Sequence, residues 1–401
     1  MNICYLIRSF SNQAGTESYV YNMAKALAGL GHTVHIVSMT GKGRRDLTGF
    51  EDKIFIHQLY LKEESFRGSR LLEQVFPLFT WRYGRAIGKI LPALIDKHAL
   101  DIIEATDWGI DAWDYIAGRK VPVCVRLHGY PGFKEELDRG LLKEWPKNYF
   151  QWCLFRKHLS GADLVTGVSG AYADFAREAW ELKERDVQII PISVDLTAFN
   201  PAEASREDRT ILFAGRLEKS KGIEVLAQAI PLILKELPDA RFYLAGQDQH
   251  RPDSRQTWSQ YLTSAYGKER IIYLGSLSTS ELVRYYRSAA LCVVPSLYEP
   301  GGTVVFEAMA CGCPVIASGV GGLVELIKDR QTGALIRPGE ARALAAAAIE
   351  LLQRPELRKE LSQNALRFVR EKFDINNIVR RTLEAYAQTI GLFKTRKNFP
   401  T

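Results

Sequence analysis

Short apolar runs alternate with stretches of helical period along this chain, and that alternation restricts its fold more than any other feature. In the first half, residues 2–8, 33–38, 53–58, 101–105, 121–127, 163–166 and 187–190 read as strands, with helical segments at 17–30 and 171–181. Apolar runs this continuous suit strands buried on both faces, and helical crossovers between them suit parallel pairing. The pattern lapses over 191–209, where Pro191, Pro201 and a polar run show no period. It restarts at 210–214, 241–245, 270–274, 290–294, 314–317 and 333–336, and only helices follow from Ala341. The fold class expected is therefore α/β, with two Rossmann-like parallel-sheet domains: 1–192, a linker at 193–209, then 210–373. Ligands of such sheets bind beyond the carboxyl ends of the strands, and two facing sheets make a cleft.

A length of 401 residues suits two such cores. No apolar run reaches the roughly 18 residues of a membrane span. The first residues lack a basic lead-in and read as a buried strand, not a signal peptide. Cys4, Cys124 and Cys292 fall in core strands, and Cys311 and Cys313 have no His or Cys cluster nearby to complete a metal site. A reducing, cytoplasmic setting is the expectation. The net charge is +7, and from Arg354 onward eleven basic residues face five acidic ones, so the excess lies on the last helices. A solvated helix face accounts for this, as does peripheral contact with an anionic membrane or acceptor. No nucleic-acid motif accompanies the charge.

Chemistry concentrates in residues 295–314, Pro-Ser-Leu-Tyr-Glu-Pro-Gly-Gly-Thr-Val-Val-Phe-Glu-Ala-Met-Ala-Cys-Gly-Cys-Pro. A strand ends at Pro295, a glycine turn follows, and Thr303 to Ala310 reads as helix. Gly301 and Gly302 let a ligand approach the backbone, and the helix start offers free N–H groups to phosphate. Glu299 and Glu307 are acceptor groups suited to pairs of sugar hydroxyls. A second string, Gly215-Arg216-Leu217-Glu218-Lys219-Ser220-Lys221-Gly222, follows the first strand of the second domain. Cations at that edge suit a diphosphate.

These strings resemble glycosyltransferase family 4 of the GT-B fold, whose hallmark is two glutamates with seven residues between them, around a strand–loop–helix turn. The resemblance spans nearly the whole chain and is specific in the second domain. It implies that Glu299 contacts the donor sugar, that Glu307 contacts the ribose, and that the amides from Gly302 to Val304 bind sugar and diphosphate. Arg216 and Lys221 match the family's cations, leaving Lys219 solvated. Leu274 and Gly275, with Ser276, stand where the family's base packs, and Gly246 ends a neighbouring strand. Gly15, before Thr16 and Glu17, matches a loop facing the donor phosphates, with Thr16 as the expected helix cap. His128 stands where the family places a histidine under the donor sugar, although a lone histidine at a strand end is ordinarily structural. Ser169 matches a family serine, and an N-cap explains it equally. Glu104, Asp107 and Trp108 are weaker candidates to line an acceptor pocket. The last segment, 374–401, looks like the helix that crosses back to complete the first domain. Where the family usually has Phe, this chain has Gly301, so no relative's sugar preference carries over.

The implied activity is α-retaining transfer of a hexosyl unit from a nucleotide-diphosphate sugar to a hydroxyl acceptor: a glycan, a lipid-linked acceptor or a small molecule. The co-substrate expected first is a UDP-sugar, then a GDP-sugar. No cofactor and no metal is expected, because Asp-x-Asp does not occur in the sequence. His128, Arg216, Lys221 and Glu299 are the expected catalytic groups. The alternatives are a GT-B epimerase, a phosphorylase, or a nucleotide-sugar-binding protein without turnover.

Overall fold

A computed structural model describes residues 1–10, 15–39, 47–59, 77–107, 109–129, 146–182, 186–201, 206–252 and 254–398. The chain divides into two compact units, Met1–Pro191 with Asn376–Thr401, and Ile192–Ile375.

The first unit is built on eight strands: β1 (Asn2–Leu6), β2 (Thr33–Met39), β3 (Leu47–Glu51), β4 (Ile54–Leu59), β5 (Ile102–Thr106), β6 (Val123–Leu127), β7 (Leu164–Gly167) and β8 (Gln188–Ile189). Their order is β3-β4-β2-β1-β5-β6-β7-β8. All neighbours are parallel except β3, which pairs antiparallel with β4. Sequence periodicity misses β3, whose Leu-Thr-Gly-Phe-Glu carries too few apolar residues. It exists because Asp52 and Lys53, at φ 44° and 67°, make a two-residue turn of the kind that closes hairpins.

The second unit has six parallel strands in the order β11-β10-β9-β12-β13-β14. They are β9 (Glu207–Ala214), β10 (Arg241–Ala245), β11 (Ile271–Gly275), β12 (Ala289–Val294), β13 (Val315–Ser318) and β14 (Ala334–Ile336). Ile211, Phe213, Leu291 and Val293 join one buried cluster, while Leu212, Ala214, Cys292 and Val294 join another. Side chains alternate across a strand, so an unbroken apolar run is what a sheet with helices on both faces requires.

Within the expected linker at 193–209, Val194 and Arg206 are anchored to the second unit. The Val194 N–H donates to the Phe373 carbonyl at 2.9 Å, and Arg206 donates to the carbonyls of Tyr286, Ala289, Cys311 and Gly312. The last helix, Ile375–Asn398, buries Ile378, Val379, Thr382, Ala385, Tyr386 and Thr389 at helical spacing. Tyr386 donates to the buried Glu104 carboxylate of the first unit, and Arg381 to the Ile189 carbonyl. Of the basic residues in this region, Arg358 is also structural, bonded to the Leu351 and Leu352 carbonyls and to Asp208. Lys394 and Arg396 are exposed. Among the described residues, no helix is long and apolar enough to cross a membrane.

Candidate functional site

In the second sheet, β9 pairs with β10 on one side and β12 on the other, so crossovers leave it in opposite directions. The carboxyl ends of β9 and β12 therefore flank a topological switch point, the usual ligand position in such sheets. Both sequence strings end there. Lys221 and Glu299, 78 residues apart, meet at Nζ–Oε2 2.8 Å. Glu299 is largely buried; its Oε2 also accepts from the Ser296 hydroxyl at 3.4 Å, and its Oε1 from the Gly302 N–H at 3.3 Å. Arg216 is exposed and pairs with Glu218 at 2.9 Å, and Lys219 is exposed, as expected.

Close packing explains the glycines. Gly222 has φ 76°, and a Cβ there would lie 1.8 Å from the Pro295 carbonyl oxygen. The two strings are thus locked backbone to backbone, and the Leu297 N–H adds a bond to the Ser220 carbonyl at 2.9 Å. Gly302, at φ 68°, caps the helix Thr303–Ala310. The helix begins where the sequence placed it. One amide does not behave as expected: the Gly302 N–H is spent on Glu299, so the donor groups at this helix start are those of Thr303 and Val304, ahead of the first intrahelical bond from Val305. Gly301 is buried within the turn.

Glu307 is half-buried on the same helix, and its carboxylate accepts from the Tyr286 hydroxyl at 2.9 Å. Burial pushes its pKa up to about 7, with the Tyr286 bond pulling the other way. Leu274 and Gly275 end β11, and Gly275 (φ 70°) has open space around it. Its carbonyl accepts from the Gly246 N–H at 2.7 Å, and Gly215 bonds in turn to Ala245. Ser276 is exposed just beyond.

The first unit carries a different arrangement. His128 follows β6, with its ring edge-on to Tyr19 at 4.7 Å and its Nε2 buried without a partner. Burial, then the neighbouring Arg126, hold its pKa well below the usual imidazole value, so the ring is neutral near pH 7. The His128 and Gly129 N–H groups donate to the Asp107 carboxylate at 3.1 and 3.2 Å, and the Tyr172 hydroxyl to the same carboxylate at 2.9 Å. Asp107 is fully buried; Glu104, 3% exposed, accepts from Tyr19 and Tyr386. Both carboxylates, expected as weaker candidates for an acceptor pocket, are buried and hydrogen-bonded within the protein. Trp108 lies outside the described residues. Gly15 (φ 60°) holds the cap position of the helix Thr16–Gly29, where Thr16 was expected, and no side chain caps that helix. Ser169 is an N-cap, accepting from the Tyr172 N–H at 3.2 Å. Sequence reasoning missed Tyr286, which nothing but proximity in the fold marks, and gave no separate role to Ser296 and Gly222 within the two strings.

Two Rossmann-like sheets in one chain, with the terminal helix returned to the first, define a GT-B fold. The chain belongs to the family 4 glycosyltransferases: the model described as "Glycosyltransferase Family 4" matches residues 14–198, and that of "Glycosyl transferases group 1" matches 197–368. An uncharacterised glycosyltransferase of Methanocaldococcus jannaschii is 36% identical over 180 residues, 45% of each chain. A D-inositol 3-phosphate glycosyltransferase of Acidothermus cellulolyticus is 29% identical over 60% of this chain and 58% of its own. The chain thus spans about half the length of these curated relatives. Among solved structures, sucrose-phosphate synthase from Thermosynechococcus elongatus superposes with a TM-score of 0.78 at 24% identity, over 98% of this chain and 100% of that one. Anabaena HepE in complex with UDP-glucose gives 0.68 at 19% identity, over 96% and 100%.

Proposed function

We propose that this protein transfers a hexosyl unit, with retention of the α configuration, from a nucleotide-diphosphate sugar to a hydroxyl acceptor. The observation that carries the reading is the Lys221–Glu299 pair beside the Thr303 helix start, at the switch point of the second sheet. An ammonium has three N–H donors, so the bond to Glu299 leaves Lys221 two for a diphosphate oxygen. Arg216 and the Thr303 and Val304 amides supply further donors, which is how a diphosphate leaves without a divalent ion. Glu299 orients the sugar hydroxyls and Glu307 those of the ribose, while Leu274 and Gly275 flank the base; the family resemblance assigns Gly15 to the phosphates.

In the reaction, the bond from the anomeric carbon to the diphosphate oxygen breaks through a short-lived oxocarbenium-like species. The acceptor oxygen bonds on the same face, and its proton passes to the departing phosphate. The family resemblance gives His128, neutral near pH 7, a role toward developing positive charge. A uridine donor is proposed first, in keeping with the structural relative solved with UDP-glucose.

Calorimetric titration with UDP-glucose, then GDP-sugars, tests the donor, and NMR of the product's anomeric centre tests retention. Binding that is unchanged in Glu299→Ala, or an inverted product, would overturn the reading. Free sugar epimer in place of a glycoside would establish an epimerase instead.

A further inference from the structure

The mechanism makes no use of three histidines in the first unit. His35 lies on β2 and His57 on β4. The register pairs His35 with Phe55 and Val37 with His57, so both imidazoles project from one face of the sheet, two residues apart along β4. His98 is the last residue of the helix Leu78–His98, which stops at Ala99 in a left-handed conformation, φ 48°. That stop sets the third ring against the other two: centroids lie 4.5 Å from His98 to His35, 5.1 Å from His98 to His57, and 5.3 Å from His35 to His57. One nitrogen from each ring can be chosen so that all three lie within 4.8 Å of one another.

We propose that His35, His57 and His98 bind one imidazole-preferring divalent transition-metal ion, with zinc as the reference case, as a clamp tying β2, β4 and the helix end together. Two features support it. His35 and His57 are 2% and 6% exposed, and His98 Nε2 is buried with no hydrogen-bond partner, a cost that a metal bond would remove. His35 Nδ1 and His57 Nε2 are already 3.0 Å apart, close to the roughly 3.3 Å that two nitrogens subtend on a tetrahedral zinc. Drawing the longer separation from 4.8 Å to that span takes up to about 1.5 Å of movement by His98, whose ring is the least enclosed. Neutral imidazole is the ligating form. Water completes a tetrahedral set. An all-imidazole set selects zinc, cobalt, nickel or copper over magnesium or calcium. The sequence carries no trace of the site, because the ligands are 22 and 41 residues apart and follow no metal-binding spacing.

The test uses the full chain without a histidine tag, stripped with chelator and titrated with Co(II) and then Zn(II). The expected result is one ion per chain, visible d–d absorption of a tetrahedral Co(II) complex that Zn(II) displaces, and a raised Tm. His98→Ala, at the accessible corner, should keep the native circular dichroism and weaken Zn(II) binding at least tenfold. His57→Asn repeats the test from the sheet side. Absence of stoichiometric Co(II) absorption in the wild-type chain would overturn the proposal whatever the variants do, as would full-strength binding by folded His98→Ala. Donor binding is expected to survive chelation, so the ion's failure and that of the proposed transfer are read separately.

Discussion

The carboxyl edges of the two sheets solve different problems. At the second, charged groups meet on a surface of close backbone contacts: Lys221 and Glu299 pair there, and Gly222 presses on the Pro295 carbonyl. At the first, the charges lie underneath. Asp107 is fully buried and holds the turn of His128, and Glu104 is bonded to Tyr19 and to Tyr386 of the terminal helix. The contrast separates groups that can exchange a protein partner for a ligand from groups that cannot. A buried carboxylate stripped of its donors costs several kcal/mol, whereas a partly exposed ion pair is cheaper to reorganise.

Substitution at the two edges should split activity from stability. The largest effect expected is on transfer by Glu299→Ala, a loss of roughly 10²–10³-fold or more in kcat/KM with Tm nearly unchanged. Steady-state kinetics beside a melting curve checks it, and an inactive but equally destabilised protein would erase the contrast. Asp107→Ala should do the reverse first, lowering unfolding free energy by about 3 kcal/mol in urea, since two amides and the Tyr172 hydroxyl lose their acceptor.

The glycines sharpen the comparison further. Gly222→Ala must move the backbone away from Pro295 and should cost more than ~2 kcal/mol; Gly275→Ala, with nothing within 4 Å of the added Cβ, should cost only the ~1 kcal/mol of a left-handed residue, and Gly15→Ala, at φ 60° and ψ −125°, outside the left-handed helical region, should cost more than Gly275→Ala. Urea midpoints of the three variants decide it.

A pH dependence completes the comparison. Glu307 holds its proton up to about pH 7 in the folded chain, against an ordinary value of 4.5, so its stabilising share is full below 4.5 and is lost as pH rises through 7. That share is at most ~3 kcal/mol. Donor affinity should move oppositely, strengthening as pH rises through 7, because the ionised carboxylate is the better acceptor for ribose hydroxyls. Calorimetry across that range reads the slope, and Tyr286→Phe, which removes a bond favouring ionisation, should shift it to higher pH.

Much of the fold was legible in advance because its signals are local. The start of the helix Thr303–Ala310, the strands of the second unit and the all-helical stretch after Ala341 follow from runs and turns a few residues long. The hairpin of β3 was not legible, since two positive-φ residues, not hydrophobicity, create it. Residues 193–209 read as a linker, and the anchors of Val194 and Arg206 within it, Phe373 and the carbonyls that Arg206 reaches, are about 80 to 180 residues away.

The sequence by itself determined which residues reach the carboxyl edge of the second sheet, because strand, turn and helix start are contiguous in the chain there. Only the tertiary structure decided what each then touches. It turned the Gly302 amide onto Glu299, set Tyr286 beside Glu307, sank Glu104 and Asp107 into the framework, and gathered His35, His57 and His98. Such pairings are set by sheet register and helix packing across tens of residues, and a hydrogen bond between distant side chains leaves no periodicity to read.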